Sequence, residues 1–460
     1  TMPLNSHTPF VYAVLSDPLP DGGKSPVVPH LSATGRARIA PPGFTRHPDY
    51  AAAISACTAA HESDDRATTK SSMKAASSSA ASLMKSYGVD VSVIVTEVGP
   101  VPLVDVASTG GRILTAFLDA AAAYVVLDGR YLASLPADAS MEVDRARLVA
   151  DFTPWEEAAD GGGEPPTADE VAAASLLAGD VVLPSADLSP APSDTHLIVR
   201  LQDPAPAVVA EISARGIQVL LGPAPPSAAV LAASLCSTFR TDRPDGLFTT
   251  VVCGRAHGEA LGLVYSSADS VLAAIECGRG VYYSRSRGGL WRKGDTSGHY
   301  QILHKIDADC DGDALRFIVT QLGPCGKEPA FCHLETRNCW GESLGLNYLE
   351  SMLVSRKAAA PEGSYTKRLF DDPELLRDKL VEEAQELAEA TEREDVAGEL
   401  ADVLYFAMTR AVAAGVPLSE AIEVLDKRAR KVTRRPGNSK VERIEAGKAI
   451  LERTKGSTSS

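Results

Sequence analysis

YYSRSRGGLWRKGDTSGH spans residues 282–299, and DADCDGDAL follows at 307–315. The first string sets Arg285, Arg287, Arg292 and Lys293 among Ser284, Ser286, Gly288 and Gly289. Arginine forks and backbone N–H groups near glycine are how proteins hold phosphate oxygens. Trp291 offers a face for stacking on a base, and Thr296 and Ser297 offer hydroxyls to a substrate. His299 is a candidate acid or base near neutral pH. An exposed basic hairpin would carry the same composition, so the string alone leaves both readings open. Outward from it, Val251, Leu261–Tyr265, Val281–Tyr283 and Leu315–Gln321 read as short strands. Ala268–Glu276 reads as a helix. A mainly-β (α+β) domain is therefore expected over 238–341.

The second string puts Asp309, Asp311 and Asp313 at alternate positions around Cys310. In an extended segment alternate side chains share a side. The three carboxylates would then converge on a hard cation such as Mg²⁺. An EF-hand loop would need Glu at its twelfth place, where this chain has Thr320. Cys310, Cys332 and Cys339 supply thiolates suited to Zn²⁺, and three ligands leave one position open for water. Cys325, in GPCGK, is a competing fourth ligand, and all four together would make a closed structural site.

Residues 342–363 end in AAAPEG and read as a linker. From 364 to 455 an all-α domain is expected. Asp372-Pro373 is a helix start, and Leu376, Leu380, Ala384, Leu387 and Ala388 form one apolar face. A second helix runs from about Asp395 to Ala414, and a third begins near Leu418. Between Glu374 and Asp402 there are eleven acids and three bases. Glu383 and Glu386 share a helix face, and Glu399 and Asp402 repeat that spacing on the next helix. Such carboxylates would repel one another unless Mg²⁺ sat between them, although acidic pairs also occur on solvated faces. KRARKVTRR (427–435) is either a phosphate contact or a solvated helix end.

Residues 1–235 are rich in Ala, Ser, Pro and Val, and short apolar runs alternate there with helix-like stretches. The runs are Val91–Val95, Ala123–Leu127, Thr195–Leu201 and Ile217–Leu221. Such alternation predicts an α/β region with a parallel sheet. It carries neither metal constellation, so a scaffold or dimerisation role dispensable for chemistry is expected. The net charge of -15 and 5% aromatics argue against a nucleic-acid partner. No run of ~18 apolar residues suggests a membrane span, and no signal peptide is visible. With 8 Cys in 460 residues, a reducing cytoplasm is expected, where clustered cysteines serve metals.

Over 238–341 the ordered strings, completed by FCH (331–333) and RNCW (337–340), closely resemble phosphoribosyl-AMP cyclohydrolase of histidine biosynthesis. The resemblance implies a homodimer with zinc sites shared between chains. The ligands would be Cys332 and Cys339 with Cys310 of the partner subunit, and Asp309, Asp311 and Asp313 would hold Mg²⁺. It implies hydrolytic opening of the purine N1–C6 bond, with His299 in proton transfer and Arg285, Arg287 and Lys293 on the phosphate or phosphoribosyl arm. Two departures are the long turn GPCGKEPAFCH (323–333) and Val264-Tyr265-Ser266-Ser267, where relatives carry an Ala-Tyr-Met-Asn-like string.

SYTKRLFDDPELLRDKLVEEAQEL (364–387) and GELADVLYFAM (398–408) resemble phosphoribosyl-ATP pyrophosphohydrolase, an all-α, MazG-like enzyme. Its E-x-x-E…E-x-x-D pattern falls on Glu383, Glu386, Glu399 and Asp402, with Lys379 and Glu382 in the preceding K-x-x-E-E. The implied reaction is Mg²⁺-dependent cleavage of phosphoribosyl-ATP to phosphoribosyl-AMP and pyrophosphate, with Glu383 and Glu386 catalytic. The domain order resembles the fungal multifunctional histidine-pathway protein, in which a histidinol dehydrogenase domain usually follows; none is expected in these residues. GRILTAFLDAAAAYVVLDG (111–129) resembles a strand and helix of a phosphate-binding β/α barrel of the same pathway. The competing reading is a general nucleotide pyrophosphatase joined to a non-catalytic, zinc-stabilised interaction domain.

Overall fold

The computed structural model describes residues 11–13, 38–39, 48–62, 65–87, 91–94, 109–120, 125–135, 147–152, 166–178, 180–183, 196–215, 217–221, 226–309, 311–325, 329–341, 345–429, 431 and 445. The chain divides into two compact units, built on residues 1–340 and 341–426. It is a multidomain chain with a mixed α/β part and a helical C-terminal part.

The larger unit begins with eight strands: β1 (Val11–Ala13), β2 (Arg38–Ile39), β3 (Val91–Ile94), β4 (Val125–Asp128), β5 (Leu148–Asp151), β6 (Asp180–Leu183), β7 (His196–Leu201) and β8 (Gln218–Leu221). Every pairing is parallel, each strand lies beside its successor, and β8 pairs with β1. The ends β1 and β2 touch, so the sheet curls into a (β/α)-barrel arrangement. Its helices are α1 (Pro48–Glu62), α2 (Arg66–Tyr87), α3 (Thr109–Asp119), α4 (Gly129–Ala133), α5 (Ala168–Leu177), α6 (Pro206–Ala214) and α7 (Ala228–Cys236). The expected α/β alternation is present, and the 111–129 stretch supplies α3 and β4. Residues 71–84, nearly all Ser and Ala, lie in α2, started by the Asp65 carboxylate, which accepts the Thr68 N–H (2.8 Å).

On β5 and β7, Leu148, Ala150 and Val199 pack against helices. By strand alternation Asp151 and Arg200 point to the inner side. There they form an ion pair that is almost fully buried.

The unit continues with β9 (Phe248–Gly254), β10 (Ala260–Ser266), α8 (Ala268–Cys277), β11 (Val281–Ser284), β12 (Gly289–Arg292), β13 (Gln301–Ala308) and β14 (Ala314–Gln321). These strands form one sheet in the order β12-β11-β10-β9-β14-β13, antiparallel except where β9 meets β14. α8 starts on a reciprocal Ser267–Ser270 cap. Val209 and Ile212 of α6 and Leu231 and Leu235 of α7 join one buried cluster with Val271 and Ala274 of α8 and Val252 and Phe317 of the sheet. The separate domains expected at 1–235 and 238–341 thus share an apolar core.

The smaller unit holds α9 (Gly345–Ala359), α10 (Tyr365–Asp371), α11 (Pro373–Glu389), α12 (Arg393–Ala413) and α13 (Leu418–Ala429). The 342–363 linker reading is corrected by α9. Leu349, Met352 and Leu353 recur at helical spacing and pack on Met408 and Val412. Pro361 follows the helix end, where its ring cannot continue the helical ladder. α11 begins on Asp372, whose carboxylate accepts the Leu375 N–H (3.0 Å), with Pro373 at the first position. A three-residue turn then returns the chain as α12. Most of the basic string 427–435 lies outside the described residues. Among the described residues, no single helix is long and apolar enough to cross a membrane.

Candidate active sites

The loop after β14 carries Cys332 and Cys339, and bonds along its length anchor it. Ala330 N–H donates to His299 Nδ1 (3.1 Å), and Lys293 Nζ donates to Ala330 O (3.2 Å). The Phe331 and Cys332 N–H groups both donate to Thr336 O (3.1 Å each). Cys339 N–H donates to Leu261 O on β10 (2.8 Å), and Arg337 Nη2 donates to Glu259 Oε1 (2.7 Å). A chain of donors arrives from the sheet. Tyr282 Oη donates to Gln301 Oε1 (2.6 Å), Gln301 Nε2 to Gln321 Oε1 (3.1 Å), and Gln321 Nε2 to Arg337 O (3.2 Å). Gly262 on β10 leaves the room this packing needs: a Cβ there would lie 2.1 Å from the Phe331 ring and 3.0 Å from Cys339 Sγ.

Within that frame the two free thiols are close enough to shift each other's titration. The Leu334 N–H, then the Thr336 hydroxyl and Cys339, hold Cys332 below the ordinary thiol range. Burial, then the neighbouring Cys332, pushes Cys339 up. Two neighbouring thiols, one eased toward thiolate, suit a thiophilic cation such as Zn²⁺. Cys310, the expected third ligand, lies outside the described residues. Cys325 is exposed on the turn after β14.

The other candidates in this part separate into two groups. Arg285 and Arg287 are exposed on the β11–β12 turn, and Arg285 stacks 4.1 Å above the Tyr265 ring. Thr296 and Ser297 are exposed as well, and Ser297 Oγ accepts the His299 N–H (3.4 Å). Lys293 and Trp291 differ from expectation. Lys293 is 4% exposed, so it is no surface arm for a phosphate. Trp291 packs toward the core, 5.8 Å from the Tyr282 ring centre, because β12 alternates that side chain inward. His333, which the sequence reading passed over, holds Nδ1 3.7 Å from Cys332 Sγ. Its place immediately after Cys332 was the available signal.

Asp309, Asp311 and Asp313 converge, but in a bend between β13 and β14 and not by strand alternation. Asp309 Oδ1 accepts the N–H groups of Gly312 (3.0 Å), Asp313 (3.0 Å) and Ala314 (3.1 Å). Gly312 at φ +79° permits that wrap. One oxygen from each carboxylate lies within 4.8 Å of the others. Asp313 is raised by its hydrogen bond with Asp309, then by the charges of Asp309 and Asp311. This oxygen-only set fits a hard cation such as Mg²⁺.

In the smaller unit α11 and α12 bring oxygens of Glu383, Glu386 and Glu399 within 4.8 Å of one another. Lys379 bonds Glu383 (2.7 Å) and Glu382 (3.0 Å), which raises its ammonium against the penalty of burial. Glu399 has a buried Oε2 without a hydrogen-bond partner. Its carboxyl is raised by burial, then by Glu386, Glu383 and Asp402. Asp402 is exposed and stands outside the tight trio, acting on it through charge. A crowded carboxylate with an unmet oxygen fits a hard divalent cation.

Two family models match the chain: phosphoribosyl-AMP cyclohydrolase over 262–341 and phosphoribosyl-ATP pyrophosphohydrolase over 346–429. The histidine biosynthesis bifunctional protein HisIE of Bacillus subtilis is 35% identical over 192 residues, covering 92% of that protein and 40% of this chain. The chain belongs to this cyclohydrolase–pyrophosphohydrolase family. The chain is also similar to the histidine biosynthesis bifunctional protein his7 of Schizosaccharomyces pombe, 55% identical over 201 residues (44% of this chain, 46% of that one). It is also similar to the histidine biosynthesis trifunctional protein of Saccharomyces cerevisiae, 50% identical over 218 residues (47% and 26%). The chain thus matches less than half the length of these fungal relatives. The cyclohydrolase match takes in the cysteine loop and the aspartate turn, and the pyrophosphohydrolase match begins inside α9.

Proposed function

We propose that the chain performs two consecutive hydrolyses in histidine biosynthesis. The smaller unit, a MazG-like helical domain in this reading, converts phosphoribosyl-ATP to phosphoribosyl-AMP and pyrophosphate. The 238–341 part, a zinc domain, then opens the purine ring of phosphoribosyl-AMP at N1–C6. The observation that carries the reading is the placing of two free cysteines, Cys332 and Cys339, on one loop fixed at both ends.

In the first step Mg²⁺, when bound, supplies charge neutralisation for the triphosphate. Glu399 and Asp402 would hold it, together with Glu383 and Glu386. Glu383, fixed by Lys379 (2.7 Å), and Glu386 are the candidates for orienting the attacking water. In the second step Zn²⁺, when bound by Cys332, Cys339 and Cys310, supplies a Lewis acid that makes water nucleophilic near pH 7. Arg285 and Arg287 take the 5′-phosphate, with the Arg285 plane held against Tyr265 (4.1 Å) and its donors left to point outward. Thr296 and Ser297 lie exposed in the same stretch. His299 Nδ1 accepts the Ala330 N–H, which ties the ring to the cysteine loop. Asp309, Asp311 and Asp313 would hold the second Mg²⁺.

The zinc site is shared between two chains in this reading, and the length of the β13–β14 hairpin supports that. Asp309 and Asp311, the neighbours of Cys310, stand at its turn, while Gln321 at its other end bonds the cysteine loop. Cys339 itself is tied by its N–H to Leu261 O on β10, two strands from β14 in the sheet and about level with Phe317, so the turn and this cysteine are offset both along and across the strands. The described cysteines are all free thiols, as the reducing cytoplasm would keep them. The test is to supply phosphoribosyl-ATP to purified protein with Mg²⁺ and Zn²⁺ and follow pyrophosphate and then ring opening. Pyrophosphate release with no ring opening of supplied phosphoribosyl-AMP would favour the general pyrophosphatase instead.

A further inference from the structure

We propose that Lys293 and His299 are positioning residues that grip Ala330 by both its backbone polar atoms and so preset the loop carrying Cys332 and Cys339. This rests on the zinc reading above, and it gives His299 an anchoring role in place of proton transfer.

Both side chains are withdrawn from water, at 4% and 5% exposure. An ammonium is buried only where partners replace water. For Lys293 those partners belong to the loop: Ala330 O (3.2 Å), the Phe331 ring (5.6 Å to its centre) and the charges of Cys339 and Cys332. The lysine backbone is fixed as well. Its N–H donates to Gly280 O (3.0 Å), and its carbonyl accepts from Arg279 Nη2 (3.0 Å), which also pairs with Asp295 (2.8 Å). The ammonium is thus delivered from a rigid base.

The opposite face of Ala330 is held by the imidazole (3.1 Å). Accepting an N–H at Nδ1 requires a lone pair there, so the neutral ring carries its hydrogen on Nε2. A further proton would have to enter at Nδ1 and would set N–H against N–H. An anchor fits that arrangement, and a proton shuttle does not. Ala330 precedes Phe331 and Cys332, so fixing its peptide fixes the direction in which the Phe331 ring enters the space above Gly262, beside Cys339. Groups that hold ligands in place without touching the metal typically change affinity about 10–100-fold.

The test uses the full chain, with zinc affinity measured by competition against a chromophoric chelator and the pH profile of ring opening as second readout. His299→Asn puts an amide oxygen near the Nδ1 position, where it can accept the Ala330 N–H, and leaves nothing at Nε2. His299→Gln puts its polar end near Nε2 and abandons Ala330. The expected result is His299→Asn within about threefold of wild-type zinc affinity, and His299→Gln and Lys293→Met weaker by about 10–100-fold. The pH profile of His299→Asn keeps both its limbs. Equal zinc affinity for the Asn and Gln variants would overturn the proposal. So would a His299→Asn protein that holds zinc normally yet loses ring opening and one pH limb. Failure of the underlying reading looks different: the unmutated protein would bind no zinc that Cys332→Ser removes.

Discussion

Gly262→Ala tests the link between the sheet and the cysteine loop. The new methyl would lie 2.1 Å from Phe331 Cε1, 2.7 Å from Cδ1 and 3.0 Å from Cys339 Sγ. Carbon atoms rest at about 3.5–4.0 Å, so the ring must retreat by roughly 1.5 Å. Phe331 is 4% exposed and sits in the shared core, so it has little space to yield. Overpacking of this kind costs about 1–3 kcal/mol. The ring also leads directly into Cys332, and zinc ligands tolerate only about 0.2 Å of misplacement. The larger unit should unfold at lower denaturant, zinc affinity should fall more than about tenfold, and pyrophosphate release should persist. Phe331→Leu in the same chain should recover part of the loss by freeing the space. Gly262→Ala with wild-type zinc affinity and an unchanged unfolding midpoint would refute the reasoning.

Glu399→Gln keeps the shape but loses charge at the acidic cluster, so it should stop pyrophosphate release while leaving ring opening of supplied phosphoribosyl-AMP intact. Loss of both in a folded protein would sink the assignment of two independent sites. Because Glu399 is raised in the fold, its contribution to stability is present at low pH and is lost as pH rises through the folded value. Without divalent cation the smaller unit should therefore weaken from about pH 4.5 upward, and Mg²⁺ should restore it near neutrality; a urea midpoint that is flat with pH and blind to Mg²⁺ would count against this. Mixing Cys310→Ser with Cys332→Ser chains should return part of the ring-opening activity, since one site per mixed pair is complete, and no recovery would argue against sharing. A chain starting at Thr238 loses Val209, Ile212, Leu231 and Leu235, each contributing roughly 1.5–3 kcal/mol of burial. It should aggregate or unfold early, and a monodisperse, active 238–460 protein would restore the dispensable-scaffold view.

The strands that declared themselves in the sequence were those built on short β-branched or aromatic apolar runs, such as Val281–Tyr283 and Leu197–Val199. Closure of the barrel was not legible from periodicity, which reports which face is buried and not which strand lies next door; the one pointer was the resemblance of 111–129 to part of a β/α barrel. α9 was missed because AAAPEG drew attention from Leu349, Met352 and Leu353 just before it. In the smaller unit, i, i+3 spacing pointed to Glu383, Glu386, Glu399 and Asp402 but left a solvated face open until the resemblance singled them out, and the fold gathers only the first three tightly. The Asp309–Asp313 cluster was found by an argument about strands, although the Asp309 carboxylate gathering three N–H groups is what creates it. Lys293 and Trp291 were misread together. A basic, glycine-rich composition says nothing of which side of a hairpin meets the core, and here both side chains turn inward.

The link from Tyr282 through Gln301 and Gln321 to the Arg337 carbonyl has a polarity. Each glutamine gives a hydrogen toward the cysteine loop and takes one from behind. Reversing either amide would set oxygen against oxygen, at the Gln301–Gln321 junction in one case and at the Arg337 carbonyl in the other. The Arg337 carbonyl, which can only accept, therefore dictates two side chains away which group the Tyr282 hydroxyl meets. Replacing either glutamine by glutamate would remove the forward-pointing hydrogens while keeping size and shape. The row would then break at a single junction, as a sentence fails when one verb loses its object.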